Sequence, residues 1–164
     1  MPDNFQIKPA TKNDIPQILA FINDLARYER LSDEVTANEA SLAEYLFGSR
    51  PYAEVIIGYL NNKPVSFALF FHNFSTYLGR PGMYIEDLFV IPEARDQDIG
   101  QTMLAYIANL AKSHKCERME WWVLDWNESA VGFYKRIGAK PMTDWTIYRV
   151  SEKALDELAA EWLG

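Results

Sequence analysis

Two carboxylates, Glu86 and Asp87, stand side by side in the otherwise apolar run Tyr84-Ile85-Glu86-Asp87-Leu88-Phe89-Val90. Consecutive side chains of a strand point to opposite faces, so at least one of the two is expected to face a sheet interior or a cleft. An edge strand with a solvated aspartate would need no function. A carboxylate held beside a reactive amine would accept its proton. From spacing alone the two readings stand level. Beyond the strand, Arg95-Asp96-Gln97-Asp98-Ile99-Gly100-Gln101 leads into a periodic apolar stretch. A helix start after a strand offers unpaired N–H groups and a positive dipole end, which suits a diphosphate, and Arg95 would add a charge-assisted contact.

A second cluster follows, Val123-Leu124-Asp125-Trp126-Asn127-Glu128 and then Phe133-Tyr134-Lys135-Arg136-Ile137-Gly138-Ala139. Asn127 reads as a helix cap or as a ligand contact, and Tyr134 as a packed aromatic or as a proton donor. Other chemistries lack their residues. The two histidines, His72 and His114, stand in no nucleophile spacing with Cys116. There is no HExxH, CxxC or EF-hand pattern, so no metal is expected, and no GxGxxG or P-loop follows a strand.

The elements that must position these residues run βα, then a series of strands, then βαβα. Alternating or β-branched runs predict strands over residues 5–8, 53–60, 65–74, 83–90, 119–124 and 145–150. Asn61-Asn62-Lys63-Pro64 reads as a hairpin turn between two of them. Helical spacing predicts helices over 15–28, 39–47, 99–112 and 128–135, and a terminal helix opened by Ser151 that carries Leu155, Leu158 and Trp162. Thr11-x-x-Asp14 is a start signal for the first, Asn127 caps the fourth and Gly138 ends it. With no repeat and no linker, residues 1–164 are expected to form one α/β domain, a mixed sheet with helices on both faces.

Composition narrows the class. The chain has 164 residues, 49% of them apolar and 14% aromatic, enough for a rich core. Neither a membrane-length apolar run nor a signal-peptide pattern is present, and the lone Cys116 makes no internal disulfide, so the expected location is the cytoplasm. A net charge of −7 without a basic cluster argues against nucleic acid and weakly suits a cationic small molecule.

Taken together and in order, these segments resemble the GNAT N-acetyltransferases, and within them the diamine (spermidine/spermine) and thialysine acetyltransferase group. The likeness includes Ile7-Lys8-Pro9-Ala10-Thr11, Leu25-Ala26-Arg27-Tyr28-Glu29, the Tyr84–Val90 run and both parts of the second cluster. The resemblance implies acetyl-CoA as co-substrate, a small primary amine as acceptor and a homodimer. The backbone of Leu88, Phe89 and Val90 would bind the pantetheine arm where the sheet splays open, and an N–H there would hold the developing oxyanion. Arg95, Asp96, Gln97, Asp98, Ile99, Gly100 and Gln101 would cradle the diphosphate. Asn127, Glu128, Ser129 and Ala130 would line the rest of the CoA site. Glu86 would take the amine proton, directly or through water, and Tyr134 would protonate or stabilise the departing thiolate. Tyr28, Glu29, Glu86, Asp87, Trp121 and Trp122 would contact the acceptor.

The chain departs from the family at the diphosphate turn. The pattern Arg/Gln-x-x-Gly-x-Gly/Ala reads here Arg95-Asp96-Gln97-Asp98-Ile99-Gly100, with Asp98 in the first glycine position. At about 5 Å and an effective dielectric near 20 a like-charge pair costs on the order of 3 kcal/mol before screening. Asp98 would otherwise serve as a helix cap, and its carboxylate would then occupy the N–H groups a diphosphate needs. The polyamine-specific members carry an acid in the loop read here as residues 73–79, where Asn73-Phe74-Ser75-Thr76-Tyr77-Leu78-Gly79 has none, which favours a lysine-like or short diamine acceptor. The alternatives are a catalytically weak binding module of the same fold with a decayed turn, and a protein N-acetyltransferase.

Overall fold

A computed structural model of the chain describes residues 2–162. It has one compact unit up to Leu124 and a second from Asp125.

The first unit is a five-stranded sheet in the order β1-β2-β3-β4-β5, with β1 Phe5–Pro9, β2 Glu54–Leu60, β3 Lys63–Ser75, β4 Arg80–Val90 and β5 Met119–Trp121. The first four pair antiparallel and β5 joins β4 in parallel, so the sheet is mixed. The β2–β3 hairpin turns through Asn61 and Asn62, both left-handed at φ 50° and 63°, a conformation asparagine tolerates. Helix α1, Ile15–Glu29, follows a single 3-10 turn held by Thr11 and Asp14: the Thr11 N–H and hydroxyl both donate to Asp14 Oδ2, at 2.7 and 2.9 Å. Helix α2, Glu39–Phe47, is capped by Asn38, whose Oδ1 accepts the Ser41 N–H at 2.9 Å.

Side-chain alternation divides the core into two layers. Ile15, Ile18 and Phe21 of α1 and Leu42 of α2 pack with Val55, Ile57, Phe67 and Phe89 on one face, where the rings of Phe21 and Phe67 stack at 5.2 Å. The intervening Ile56, Ala68 and Phe70, with Met83 and Ile85, are buried on the other face, against which helix α3, Ile99–Ser113, places Ile99, Met103, Leu104 and Ile107. Helices therefore cover both faces.

Three expectations need correcting here. The strand over 119–124 is shorter: pairing stops at Trp121, and Trp122 is exposed. The segment 73–79 is not all loop, because Asn73, Phe74 and Ser75 continue β3 opposite Gly82, Pro81 and Arg80, leaving 76–79 as the turn. Residues 145–150 form no strand. A strand exists through a ladder partner, and this segment instead begins in a local turn in which the Trp145 N–H donates to Met142 O at 3.2 Å.

The second unit holds helix α4, Glu128–Arg136, and helix α5, Glu152–Ala159. Asn127 Oδ1 accepts the Ala130 N–H at 3.3 Å, as a cap should. At the other end Gly138, at φ 89°, donates to Lys135 O, and Ala139 donates to Tyr134 O. Leu155 and Leu158 lie on α5 and are exposed, whereas Trp162 falls beyond its end, and Ser151 makes no side-chain cap bond.

Candidate active site

The two carboxylates of β4 do not part to opposite faces. β3 pairs Leu69 with Asp87 but Phe70 with Ile85, so Glu86 has no residue opposite it. It is the extra residue of a β-bulge, which breaks the alternation and re-aims the side chains beside it. Asp87 shares the α1 face with Phe89, and the exposed Glu86 reaches the same cavity.

That cavity, about 400 Å³, is walled by Ile22, Leu25, Ala26 and Glu29 of α1, by Glu86 and Asp87 of β4, and by the segment after α1 with Leu31, Glu34, Val35, Thr36 and Ala37. Its charged lining is four carboxylates on an apolar floor. Burial, then the neighbouring charges of Glu86 and Glu29, push the Asp87 carboxyl up to about 7. Burial also raises Glu29 above the usual carboxylate range. Such a site gains most from a cation, which relieves both the desolvation and the mutual repulsion. The wall from Leu31 to Ala37, which brings Glu34 to the cavity, had no sequence signal, because an acid in the connection after α1 shows neither periodicity nor a motif spacing.

The sheet opens beside this cavity. Among the described residues β5 pairs with β4 at Met83, Tyr84 and Ile85, and from Glu86 onward none of them adds a strand to the β5-side edge of β4. The Ile91 N–H donates to Val65 O at 2.9 Å, and by antiparallel alternation Phe89 exchanges bonds with Phe67. Leu88 and Val90 therefore aim their N–H and C=O groups at the open edge, while the Phe89 side chain is buried under α1.

After Val90, one 3-10 turn over Pro92–Ala94 brings the chain to Arg95 and α3. Asp96 and Asp98 both take left-handed backbone, each at φ 58°. Asp98 does not act as a side-chain cap: its carboxylate makes no cap bond, and only its carbonyl serves the helix, accepting from the Thr102 N–H and hydroxyl at 2.9 Å each. The first N–H groups of α3 are left for another acceptor. At Gly100 an added Cβ would meet only Val90 Cγ2 at 3.8 Å, so the protein itself does not require glycine there. An anionic ligand at this turn fits the backbone and is opposed by the two exposed aspartates.

Other sequence-predicted residues fall elsewhere. Tyr28 does not line the cavity; its ring carries the Arg95 guanidinium 4.7 Å above its centre. Trp121 lies on β5, and Trp122 packs edge-on to Tyr84 at 6.0 Å; neither lines the cavity. The Tyr84 phenol is pushed up to about 12 by burial and by Glu86 and Glu120, so it stays protonated. Asn127, Glu128, Ser129, Ala130 and Tyr134 belong to the second unit, where the Tyr134 ring lies 5.4 Å from that of Phe133. Among the described residues no three His, Cys, Asp or Glu side chains converge as a metal site.

Comparison with known proteins adds the following. The model of the Acetyltransferase (GNAT) family matches residues 18–139. Thialysine N-epsilon-acetyltransferase of Bos taurus is 34% identical over 94% of this chain and 97% of its own length. L-ornithine N5-acetyltransferase NATA1 of Arabidopsis thaliana is 28% identical over 93% and 87%. Among solved structures, an integron cassette protein from V. cholerae superposes with a TM-score of 0.80 at 31% identity, covering 96% of this chain and 99% of that one. An aminoglycoside acetyltransferase from a soil metagenome shares the fold, with a TM-score of 0.76 at 18% identity over 91% and 98%.

Proposed function

Since the chain belongs to the GNAT acetyltransferase family, we propose that it moves acetyl from acetyl-CoA directly to a primary amine held in the Glu86–Asp87 cavity. The observation that carries this reading is a bulge that turns two adjacent carboxylates into one cavity beside an open strand edge.

The residues divide the work as follows. Asp87, Glu29 and Glu34 hold the cationic acceptor, and the apolar floor takes its alkyl part. At neutral pH roughly one alkylamine in a thousand is unprotonated, so Glu86 removes the proton, a contribution of typically 10²–10⁴-fold. The freed nitrogen forms a bond to the thioester carbonyl carbon, the C–S bond breaks, and Tyr134 gives its phenol proton to the thiolate. The second proton that the nitrogen loses returns through water to the Tyr134 phenolate. Leu88 and Val90 bind the pantetheine arm, and an N–H at that edge stabilises the oxyanion. The 95–101 turn receives the diphosphate, and Asn127, Glu128, Ser129 and Ala130 line the remaining CoA site. Trp121 and Trp122 have no part in acceptor binding in this reading.

Lysine-like amines and short diamines are the preferred acceptors. The relatives named for thialysine and ornithine support the first, and the cavity's four carboxylates support any dication. Initial rates of CoA release over a matrix of acetyl-CoA and amine concentrations test the reading. Direct transfer gives intersecting lines. Parallel lines mean an acyl-enzyme, and no turnover with any lysine-like amine, diamine or polyamine means a binding module.

A further inference from the structure

Arg95 occupies a place that a simple diphosphate ligand would not. Its Nε–H donates to Val90 O at 3.1 Å, a carbonyl at the open edge of β4. Its guanidinium carbon lies 4.7 Å from the Tyr28 ring centre and 5.8 Å from that of Phe89. One planar cation thus touches the end of the last cofactor-facing strand, the last turn of α1 and a ring of the core.

Each of those contacts leads to a binding surface. Tyr28 is followed by Glu29, a wall of the acceptor cavity, and Phe89 lies two residues from Asp87. Arg95 itself opens the turn whose Asp96 and Asp98 stand in left-handed backbone, a conformation the surroundings must hold for a residue with a Cβ. On the α1 side the chain leaves the helix through Arg30, also left-handed at φ 63°, with the Leu31 N–H returning to Ala26 O at 2.8 Å. Two segments, the 95–98 turn and, through Tyr28, the 29–37 wall, are therefore joined by the Arg95 side chain.

We infer that Arg95 is a positioning residue that couples cofactor binding to amine binding. The inference rests on the proposed acceptor site. A ligand that orders the turn fixes Arg95, Arg95 fixes Tyr28, and Tyr28 holds Glu29 in place beside Asp87. Each ligand then tightens the other by the same factor. A cation on an aromatic face supports a coupling of about three- to thirtyfold.

Arg95→Lys separates this role from simple charge attraction. Lysine keeps the positive charge for a diphosphate but has no Nε–H in a planar fork for Val90 O and stacks poorly on Tyr28. Tyr28→Leu removes the ring from the other side. The experiment is calorimetric titration of the best-turned-over amine into the protein, with and without saturating CoA, for the wild type and both variants. CoA should tighten the amine about fivefold or more in the wild type and by less than about 1.5-fold in either variant, with each variant still folded by its melting curve. A wild-type factor of one overturns the inference, as does undiminished coupling in Arg95→Lys or in Tyr28→Leu. If the protein turns over amines yet shows no coupling, only this inference falls. If no amine binds under any condition, the proposed acceptor site falls with it. A variant that does not fold is replaced by Arg95→Gln or Tyr28→Met and judged by the same factor.

Discussion

Glu86 and Asp87, neighbours in sequence on one strand, both line the same cavity because the β3–β4 register passes over Glu86. An unbroken strand would have sent one of them to each face. The bulge gives the site an exposed carboxylate, Glu86, next to a partly buried one, Asp87, set against an apolar wall.

The raised carboxyl of Asp87 makes the empty protein pH-sensitive. Its folded value, about 7, lies above the unfolded 3.8. The folded state therefore holds this proton more tightly, and stability is lost as pH rises from about 4 through about 7. Asp87→Asn cannot ionise and should flatten that slope, with a gain at about pH 8 on the order of 4 kcal/mol as an upper bound. Denaturant unfolding at about pH 5 and pH 8 checks it. An identical slope in the variant would show that Asp87 ionises without penalty.

Amine binding should follow the same group in the opposite sense. A bound ammonium favours the charged carboxylate and drives the proton off Asp87. Affinity should rise with pH up to about 7 and then level, with close to one proton released per amine at about pH 6, where the free carboxyl is still mostly protonated. Calorimetry in two buffers of different ionisation enthalpy measures that proton directly. Glu86, Glu29 and Glu34 share the cavity, so Asp87→Asn is the control that assigns it.

Asp98→Gly should tighten acetyl-CoA by about 1–3 kcal/mol, roughly five- to 150-fold. The substitution removes a charge beside the diphosphate and a Cβ from a left-handed position, at φ 58°, that glycine adopts freely. Part of the gain is screened Coulomb energy, so it should shrink with salt. It should also be smaller for pantetheine fragments that lack the diphosphate. Weaker binding in the variant would mean that Asp98 shapes the turn.

Tyr134→Phe should lower kcat more than it weakens acetyl-CoA binding, because the phenol acts on the leaving thiolate rather than on the ground state. Single-turnover rates read the chemical step alone. An unchanged step would remove the proton-donor role.

Much of this was legible in the sequence, for identifiable reasons. Thr11 with Asp14, Asn127 and Gly138 announce helix ends because capping is local chemistry. Phe67 and Phe89 fall in strands that their β-branched and aromatic runs predict. The bulge at Glu86 was not legible, since register is settled between strands rather than along one. Residues 145–150 carry a strand-like pattern yet lack a ladder partner, which composition does not record. Arg95 was read by its charge, while its position is set by the Tyr28 ring and the Val90 carbonyl, contacts that span the fold.

The measurement that tests the central claim most directly is the kinetics of Glu86→Gln with the best amine, alongside acetyl-CoA titration of the same variant. Glutamine keeps the shape and removes the proton acceptor. kcat/KM at neutral pH should fall about 100-fold or more, with acetyl-CoA affinity close to wild type. A fall of less than about threefold would contradict the account, because the bulged carboxylate would then not be the base and the cavity it enters would not be where the amine reacts.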